Sequence, residues 1–279
     1  MRRVVAAARQ RLLDAGLDAR HAHLDPEVLA RHVLRWDRAT WITRAEEPAS
    51  PDFLARFEAL VARRANREPV AYIVGHREFY GRDFAVSPAV LIPRPETELI
   101  VDFVLARLPA ERFLRLVDVG TGCGALAVTL AAERPAWHVE AVDISGAAID
   151  VARRNAATHG VAEHVTFLQG DLLAPTMGLF DAIVANPPYV ARRDAPGMSP
   201  DVVGHEPHVA LFGGQDGMDI PRRLLAEAAG RLVPGGVIVM EFGYGQQEPV
   251  EEAARAAGLH VVEVLEDLQG IARTLVARR

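Results

Sequence analysis

The stretch Leu114-Arg115-Leu116-Val117-Asp118-Val119-Gly120-Thr121-Gly122-Cys123-Gly124 decides the fold of this chain. Its first six residues are mostly apolar and β-prone, which predicts a buried strand, and the glycines that follow predict a tight turn into a helix. Glycines let the backbone approach a ligand closely, and the N–H groups at the start of a helix point at an anionic group. With Ala125 in the third small position, the stretch also matches a dinucleotide-binding fingerprint.

Three carboxylates lie at or just after the ends of predicted strands, where they could contact a ligand bound at this turn. Asp143 closes the next predicted strand, 23 residues after Gly120, where an acid would hold ribose hydroxyls. These features leave a nicotinamide cofactor and S-adenosylmethionine both open. Asp118, directly before the glycines, favours S-adenosylmethionine, because a carboxylate suits its sulfonium and ammonium better than a pyrophosphate. Asp171, after the third strand, is either an acceptor for an adenine amino group or a cap of the next turn.

Strands and helices alternate from Phe113 onward, which implies a mostly parallel sheet covered on both faces. Seven strands are predicted, at 114–119, 137–142, 165–168, 181–185, 237–241, 260–265 and 272–277. Helices are predicted at 124–133, 147–158, 219–231 and 247–257. The last two strands are joined by four residues, too few for a crossover helix, so the final strand should be antiparallel. Residues 190–212 show no periodicity and are predicted to form a long functional loop.

The first seventy residues predict a small helical bundle. Asp25-Pro26 and Ser50-Pro51 each look like a helix cap followed by proline at the first helical position. Further on, Gly81-Arg82 lies between β-prone residues and predicts a hairpin with glycine first in its turn.

Asn186-Pro187-Pro188-Tyr189 directly follows the apolar run of the predicted strand at 181–185, which is expected to be buried. Open α/β sheets place their ligands at the carboxyl ends of such strands. An amide nitrogen is a poor nucleophile, because its lone pair is delocalised into the carbonyl. The Asn186 Oδ1 and the Pro187 carbonyl could accept both N–H bonds of a target NH2 group, with Tyr189 stacked on the planar group. Catalysis would then consist of orientation and polarisation. An ordinary Pro-Pro loop is the alternative for this segment alone.

The amino-acid composition argues against several kinds of chemistry and several kinds of binding partner. All 31 basic residues are arginine, so Schiff-base chemistry and a phosphate-loop lysine are excluded. Residues 1–80 hold 14 arginines against 11 acids, whereas residues 81–279 hold 17 against 26, so nucleic acid is a disfavoured partner. The single cysteine, Cys123, fits a reducing cytoplasm, and no apolar run is long enough for a membrane span. His205 and His208 lack the further ligands of a metal site, so no metal is expected.

The chain resembles the release-factor glutamine N5-methyltransferases, the PrmC/HemK family, over nearly its whole length. Besides the Asn-Pro-Pro-Tyr motif and the glycine segment, the matching stretches are Pro69 to Gly75, Glu78 to Gly81, Leu91 to Glu98, Glu206-Pro207, Ala210 to Gly214, Asp216-Gly217, Glu241, Gln246 and Asp267 to Arg273. The resemblance implies a class I, Rossmann-like methyltransferase with a seven-stranded, mostly parallel sheet. It adds a helical substrate-recognition domain over residues 1–74, a β-hairpin linker over 75–92 and a methyltransferase domain over 93–279.

The resemblance also implies an activity: methylation of the glutamine in the Gly-Gly-Gln motif of class-1 peptide chain release factors, with S-adenosylmethionine converted to S-adenosylhomocysteine. The residues that it places against S-adenosylmethionine are Gly120, Thr121, Gly122, Cys123, Gly124, Asp143, Asp171, Leu172 and Asn186. Asn186, Pro187, Pro188 and Tyr189 would hold the glutamine. Cys123 and Leu172 depart from the common pattern, and Leu172 could weaken adenine stacking. We expect a monomer.

Two other functions stay open at this point. The Asn-Pro-Pro-Tyr device suits the amino group of adenine equally well, so N6-adenine methylation of DNA or RNA is an alternative, although no basic face accompanies it. The chain could also bind S-adenosylmethionine without catalysis and regulate a partner, against which the intact motif argues.

Overall fold

The computed structural model describes all 279 residues, and the chain divides into two compact units. The first consists of Met1–His76 together with Ser199–His205 and is helical. The second consists of Arg77–Met198 and Glu206–Arg279. It carries all the strands, apart from His76, the first residue of the hairpin, which belongs to the first unit. No helix combines the length and the apolar character that a membrane span requires.

Six helices build the first unit: α1 (Arg2–Asp14), α2 (Ala19–Leu34), α3 (Arg38–Arg44), α4 (Pro51–Ala65), α5 (Val70–Val74) and, from late in the chain, α9 (Pro200–His205). Helices α1 to α5 surround an apolar core that includes Leu12, Leu29, Trp41, Phe53 and Phe57. The prediction of a helical bundle is therefore confirmed, and Ser50 caps α4 with Pro51 at its first turn, as expected.

The predicted helix start at Asp25-Pro26 is wrong, because α2 begins seven residues earlier. Asp18 is the cap, and its side chain accepts hydrogen bonds from two backbone N–H groups of the first turn. Pro26 lies inside the helix. Asp25 is buried and accepts from Arg64 Nε at 2.6 Å, so its carboxylate is engaged between helices and does not cap a backbone end. Burial raises the pKa of Asp25 above its usual value.

The hairpin consists of β1 (His76–Phe79) and β2 (Arg82–Ala85). Its turn residues are Tyr80 and Gly81, with φ of 51° and 72°. Two positive φ angles define a type I′ turn, whose twist matches that of the flanking strands. The prediction of glycine as the first turn residue is therefore wrong by one position: Tyr80 is first, and Glu98 accepts a hydrogen bond from its backbone N–H at 2.9 Å.

The seven-stranded sheet of the second unit confirms the predicted fold class. Its strands are β3 (Arg115–Val119), β4 (His138–Asp143), β5 (Val165–Gln169), β6 (Phe180–Ala185), β7 (Leu232–Glu241), β8 (His260–Glu266) and β9 (Ala272–Arg278). They lie in the order β5-β4-β3-β6-β7-β9-β8. Neighbours from β5 to β7 are parallel, and β9 is antiparallel to both β7 and β8, as predicted from the short connection.

Helices of the second unit alternate with these strands: α6 (Glu98–Arg107), α7 (Ala125–Glu133), α8 (Gly146–Thr158), α10 (His208–Leu211), α11 (Asp219–Arg231) and α12 (Gln247–Ala256). A core of apolar side chains from the central strands packs against α11 and α12 and includes Ile183, Ile238, Leu224, Leu225 and Val250. Because β3 and β6 are adjacent at the centre of the sheet, the ends of these two strands lie side by side. This places the glycine turn next to the Asn-Pro-Pro-Tyr segment.

Residues 190–212 are not the continuous loop that their lack of periodicity predicted. A 3₁₀ helix (Arg192–Gly197) precedes α9, and α10 follows it. Helices of four to six residues are too short to show a hydrophobic period in sequence, which is why this stretch read as a loop. Val190 and Phe212 then close the segment through an isolated parallel bridge.

Candidate functional site

The glycine turn after β3 has the backbone conformation that its sequence predicts. Gly120, Gly122 and Gly124 have φ of 77°, 55° and 86°, a region that side chains with a Cβ rarely adopt. The N–H of Gly120 donates to the Val142 carbonyl at 2.9 Å, and that of Gly122 donates to Asp143 Oδ2 at 2.9 Å. The turn is therefore held against the end of β4, the neighbouring strand.

Asp118 lies elsewhere than the sequence led us to expect. Its side chain does not line the adjoining cavity but is buried beneath the turn, where Oδ2 accepts from Thr121 Oγ1 at 2.6 Å and from the Ala127 N–H at 3.2 Å. Oδ1 is buried without a hydrogen-bond partner. Burial raises the pKa of Asp118 to about 7. The contacts of Asp118 thus stabilise the turn and the start of α7.

Thr121, Cys123 and Gly124 also lie outside the cavity lining. Cys123 is buried, and its carbonyl accepts from Asn155 Nδ2 at 2.8 Å. A Cβ on Gly124 would lie 3.1 Å from the Cβ of Ala152, so this glycine permits close packing of α7 on α8. The structure therefore divides the predicted segment: two glycines face the cavity, and the residues between and after them shape the turn.

A cavity of about 410 Å³ opens at the carboxyl ends of the central strands. Seven of the predicted site residues line it: Gly120, Gly122, Asp143, Asp171, Leu172, Asn186 and Pro188. Further wall residues, none of them among the predicted site residues, include Leu91, Ile144, Arg192, Val209, Phe212 and Ile220. The cavity thus brings together residues from the ends of four strands, as expected for an open α/β sheet.

The lining of the cavity includes both polar and apolar side chains. Asp143 is partly buried; its Oδ1 accepts from the Ser145 N–H at 2.9 Å, and desolvation raises its pKa. Asp171 Oδ2 accepts from Arg223 at 2.6 Å. Ile144 and Leu172, directly after these two acids, supply apolar surface. Leu172 takes a φ of 47°, which is unusual for a residue other than glycine.

Asn186 follows β6 and takes part in a chain of buried and partly buried hydrogen bonds. Its Nδ2 donates to Thr97 Oγ1 at 2.9 Å, and Thr97 Oγ1 donates to Glu241 Oε2 at 2.6 Å. The hydroxyl of Tyr189 donates to Glu241 Oε1 at 2.9 Å. Burial and the neighbouring carboxylate hold the pKa of Tyr189 well above its usual value. Burial also raises the pKa of Glu241. Pro187 and Tyr189 do not line the cavity.

The backbone of the Asn-Pro-Pro-Tyr segment is held from its other side. Gln246 Nε2 donates to the Tyr189 carbonyl at 2.8 Å, while Gln246 Oε1 accepts from the Gly243 N–H at 2.8 Å. A Cβ on Gly213 would lie 2.5 Å from the Gly217 carbonyl oxygen and closer still to that of Pro188. These glycines allow the chain to pack directly on the motif.

The sequence had assigned no role to Thr97, Glu241 or Gln246, although all three lie in stretches that carry the resemblance. No local signal could have shown their contacts, because Thr97 and Glu241 are 144 residues apart. The structure also places no group of three or more His, Cys, Asp or Glu side chains close enough to hold a metal ion.

Known proteins resemble this chain over nearly its whole length. The model for the PrmC N-terminal domain matches residues 3–75, and that for the methyltransferase small domain matches residues 98–203. The release factor glutamine methyltransferase of Koribacter versatilis is 45% identical over 264 residues, which cover 94% of this chain and 93% of that protein. The chain belongs to the release factor glutamine methyltransferase family. The Moorella thermoacetica member is 44% identical over 281 residues and is matched over 98% of its length. The predicted family and enzyme class, an S-adenosylmethionine-dependent protein glutamine methyltransferase, are thereby confirmed.

Solved structures share the fold at low sequence identity. A Pyrococcus furiosus methyltransferase has a TM-score of 0.54 at 19% identity, covering 78% of this chain and 96% of that chain. The T. thermophilus 16S rRNA N2 methyltransferase RsmC, in complex with AdoMet and guanosine, has a TM-score of 0.52 at 23% identity, covering 73% of this chain and 49% of its own. These likenesses support the class I methyltransferase fold and nothing finer.

Proposed function

We propose that this protein methylates the side-chain amide nitrogen, N5, of the glutamine in the Gly-Gly-Gln motif of class-1 peptide chain release factors. S-adenosylmethionine would be the donor and S-adenosylhomocysteine the product. The observation that carries the proposal is the orientation of Asn186: its Nδ2 is occupied by Thr97, which leaves Oδ1 as the amide atom free for a substrate N–H in the cavity.

The volume and the lining residues of the cavity support S-adenosylmethionine as its ligand. The backbone at Gly120 and Gly122 carries no side chain that would block a ligand. Asp143 would accept ribose hydroxyls, and the Asp171 oxygen that does not contact Arg223 would accept an adenine amino group. Ile144 and Leu172 would pack on the flat faces of the base. When bound, the donor supplies a methyl group on a positively charged sulfur. Thr121, Cys123, Gly124 and Asp118 would act through the turn that they shape.

The chain's own contribution to the reaction is orientation of the substrate amide. Asn186 Oδ1 and the Pro187 carbonyl would accept its two N–H bonds, turning the nitrogen lone pair away from its own carbonyl and toward the donor. These acceptors would also stabilise the positive charge that develops on the nitrogen as its bond to the methyl carbon forms and the bond between that carbon and the sulfur breaks. The nitrogen would then lose one of its two protons to water, which leaves a neutral N-methyl amide. Pro188 fixes the backbone next to them, and Tyr189 would stack on the planar amide.

The proposal also assigns a role to each domain and a class of partner to the enzyme. Residues 1–74 would recognise the release factor, residues 75–92 would link the domains, and residues 93–279 would hold donor and acceptor. The partner would thus be a protein and not a nucleic acid, and the enzyme would act as a monomer in the cytoplasm.

The test is to incubate the purified chain with methyl-labelled S-adenosylmethionine and a class-1 release factor. We expect one methyl group on the Gly-Gly-Gln glutamine and none on a release factor whose motif glutamine is replaced by alanine. Adenine-containing DNA and RNA oligonucleotides belong in the same experiment. Label on the oligonucleotides with none on the glutamine would replace the proposal with N6-adenine methylation, and label on neither would reject both.

A further inference from the structure

Two buried side chains outside the Asn-Pro-Pro-Tyr motif contact both of its ends. Thr97 is 5% exposed and Glu241 is 1% exposed. Thr97 contacts Asn186, and Glu241 contacts both Thr97 and Tyr189. The Glu241 carboxylate therefore connects both ends of the motif: it bonds directly to Tyr189, and it is linked to Asn186 through the hydroxyl of Thr97.

The number of protons in this chain of bonds determines which end of the Asn186 amide faces Thr97. Thr97 donates its one hydroxyl proton to Glu241 Oε2, and a hydroxyl has no second proton to donate. Thr97 Oγ1 can then only accept from Asn186, and the amide must present Nδ2 to it. Had the amide been reversed, Oδ1 would face a hydroxyl without a proton to offer. Such an unsatisfied buried pair is costly.

Tyr189 is fixed by the other oxygen of the same carboxylate. Its hydroxyl donates to Glu241 Oε1, so the ring has a defined position relative to Asn186. Gln246 holds only the Tyr189 backbone, and does not contact Asn186. Among the described contacts of the motif, the Thr97–Glu241 pair is thus the one that sets the orientation of both side chains.

We propose that Thr97 and Glu241 are positioning residues that lock the Asn186 amide with Oδ1 toward the substrate and hold the Tyr189 ring beside it. The assignment deepens the proposed function and rests on it for the kinetic consequence. The locking of the amide itself does not depend on which substrate is methylated.

The decisive variants are Thr97→Val, which keeps the shape and removes the hydroxyl, and Thr97→Ser, which keeps the hydroxyl. Thr129→Val is the matched control, since Thr129 is fully buried in α7 and its hydroxyl has no hydrogen-bond partner. Glu241→Gln is a second probe. A carboxamide has a donor at one of its two ends, so either Thr97 or Tyr189 must reverse its hydrogen bond.

Two readouts separate the inference from the proposed function. The first is hydrogen exchange of the Asn186 side-chain NH2, observed by NMR and assigned by its absence in Asn186→Asp. We expect slow exchange in the wild type, Thr97→Ser and Thr129→Val, and at least roughly tenfold faster exchange in Thr97→Val, where the acceptor is gone. Equal exchange in the wild type and Thr97→Val would overturn the proposal, whether or not the enzyme methylates release factors.

The second readout is methyl transfer to the release factor. We expect Thr97→Val and Glu241→Gln to lower kcat by roughly 10- to 100-fold, with S-adenosylmethionine affinity and the release-factor KM within about threefold of wild type, because misorientation affects the reacting geometry. Thr97→Ser should recover most of kcat. Equal losses in Thr97→Val and Thr97→Ser would assign Thr97 a packing role and overturn the proposal. A protected amide in a wild type that labels no release factor would reject the proposed function and leave the locked amide standing.

Discussion

Asn155 on α8 donates from Nδ2 to the carbonyl of Cys123 in the glycine turn, at 2.8 Å. The same side chain bonds Ala85 of the hairpin twice, accepting from its N–H at 2.9 Å and donating to its carbonyl at 3.0 Å. One buried amide therefore ties the second hairpin strand to the turn that opens the cavity. The position of the turn depends on this contact as well as on its glycines.

We expect Asn155→Ala to lower the free energy of unfolding by about 2–4 kcal/mol, because three backbone groups lose a partner and part of them stays buried. It should also weaken S-adenosylmethionine binding, since the Cys123 carbonyl is no longer held. Urea denaturation and calorimetric titration measure the two effects. An unfolding free energy within about 0.5 kcal/mol of wild type would show that the contact is dispensable.

Substitution of Asn186 tests whether the motif acts in the reaction or only in binding. Asn186→Ala should lower kcat by roughly 100-fold or more, because the substrate amide loses one of its two acceptors. Calorimetry should still detect S-adenosylmethionine binding, since most of the cavity wall is unchanged. A non-catalytic module that binds S-adenosylmethionine would show no transfer before or after the change.

Two glycine substitutions in the second unit should have opposite effects. Gly213→Ala introduces a Cβ that clashes with the carbonyl oxygens of Pro188 and Gly217. We expect the free energy of unfolding to decrease by about 1–3 kcal/mol and kcat to decrease as well, because the backbone of the motif must move. Gly230→Ala lies in α11 with no atom near the added Cβ, and should stabilise the protein by about 0.5–1 kcal/mol. Thermal denaturation of both variants provides the comparison; equal shifts would contradict the geometry around Gly213.

The buried carboxyl of Asp118 predicts a pH-dependent stability. Its pKa rises from 3.8 to about 7 on folding, so the folded state binds more protons than the unfolded state between these values. Stability from this group is therefore fully present below pH 3.8 and is lost as pH rises through about 7. At about 1.4 kcal/mol per pKa unit, the loss reaches about 4 kcal/mol.

Asp118→Asn removes this titration and keeps an oxygen that can accept from Thr121 and Ala127. The wild type should therefore lose stability relative to this variant as pH increases from about 4 to about 7. Urea denaturation at several pH values measures it. A difference that stays constant with pH would mean that Asp118 ionises in the folded protein at its ordinary pKa.

Local patterns accounted for much of the fold because their physics is local. A glycine-rich turn needs positive φ angles, a short connection excludes a crossover helix, and Ser50-Pro51 caps a helix with its own side chain. The errors arose where a distant residue intervened. Asp25 resembles a cap in sequence, but Arg64, 39 residues away, takes its carboxylate into the core. The turn at Tyr80 likewise has Glu98 bound to its N–H.

By itself, the sequence determined the alternation of strands and helices, the antiparallel last strand, the glycine turn and the amide-bearing motif, since each depends on residues within a few positions of one another. Only the tertiary structure decided the strand order, the position of Asp118 under the turn and the direction of the Asn186 amide. That direction is set by the hydroxyl of Thr97, 89 residues before Asn186, and Thr97 is itself oriented by the carboxylate of Glu241, 144 residues after Thr97. Hydrogen bonds between such distant residues form only when the fold brings their segments together, and no pattern of neighbouring residues encodes them.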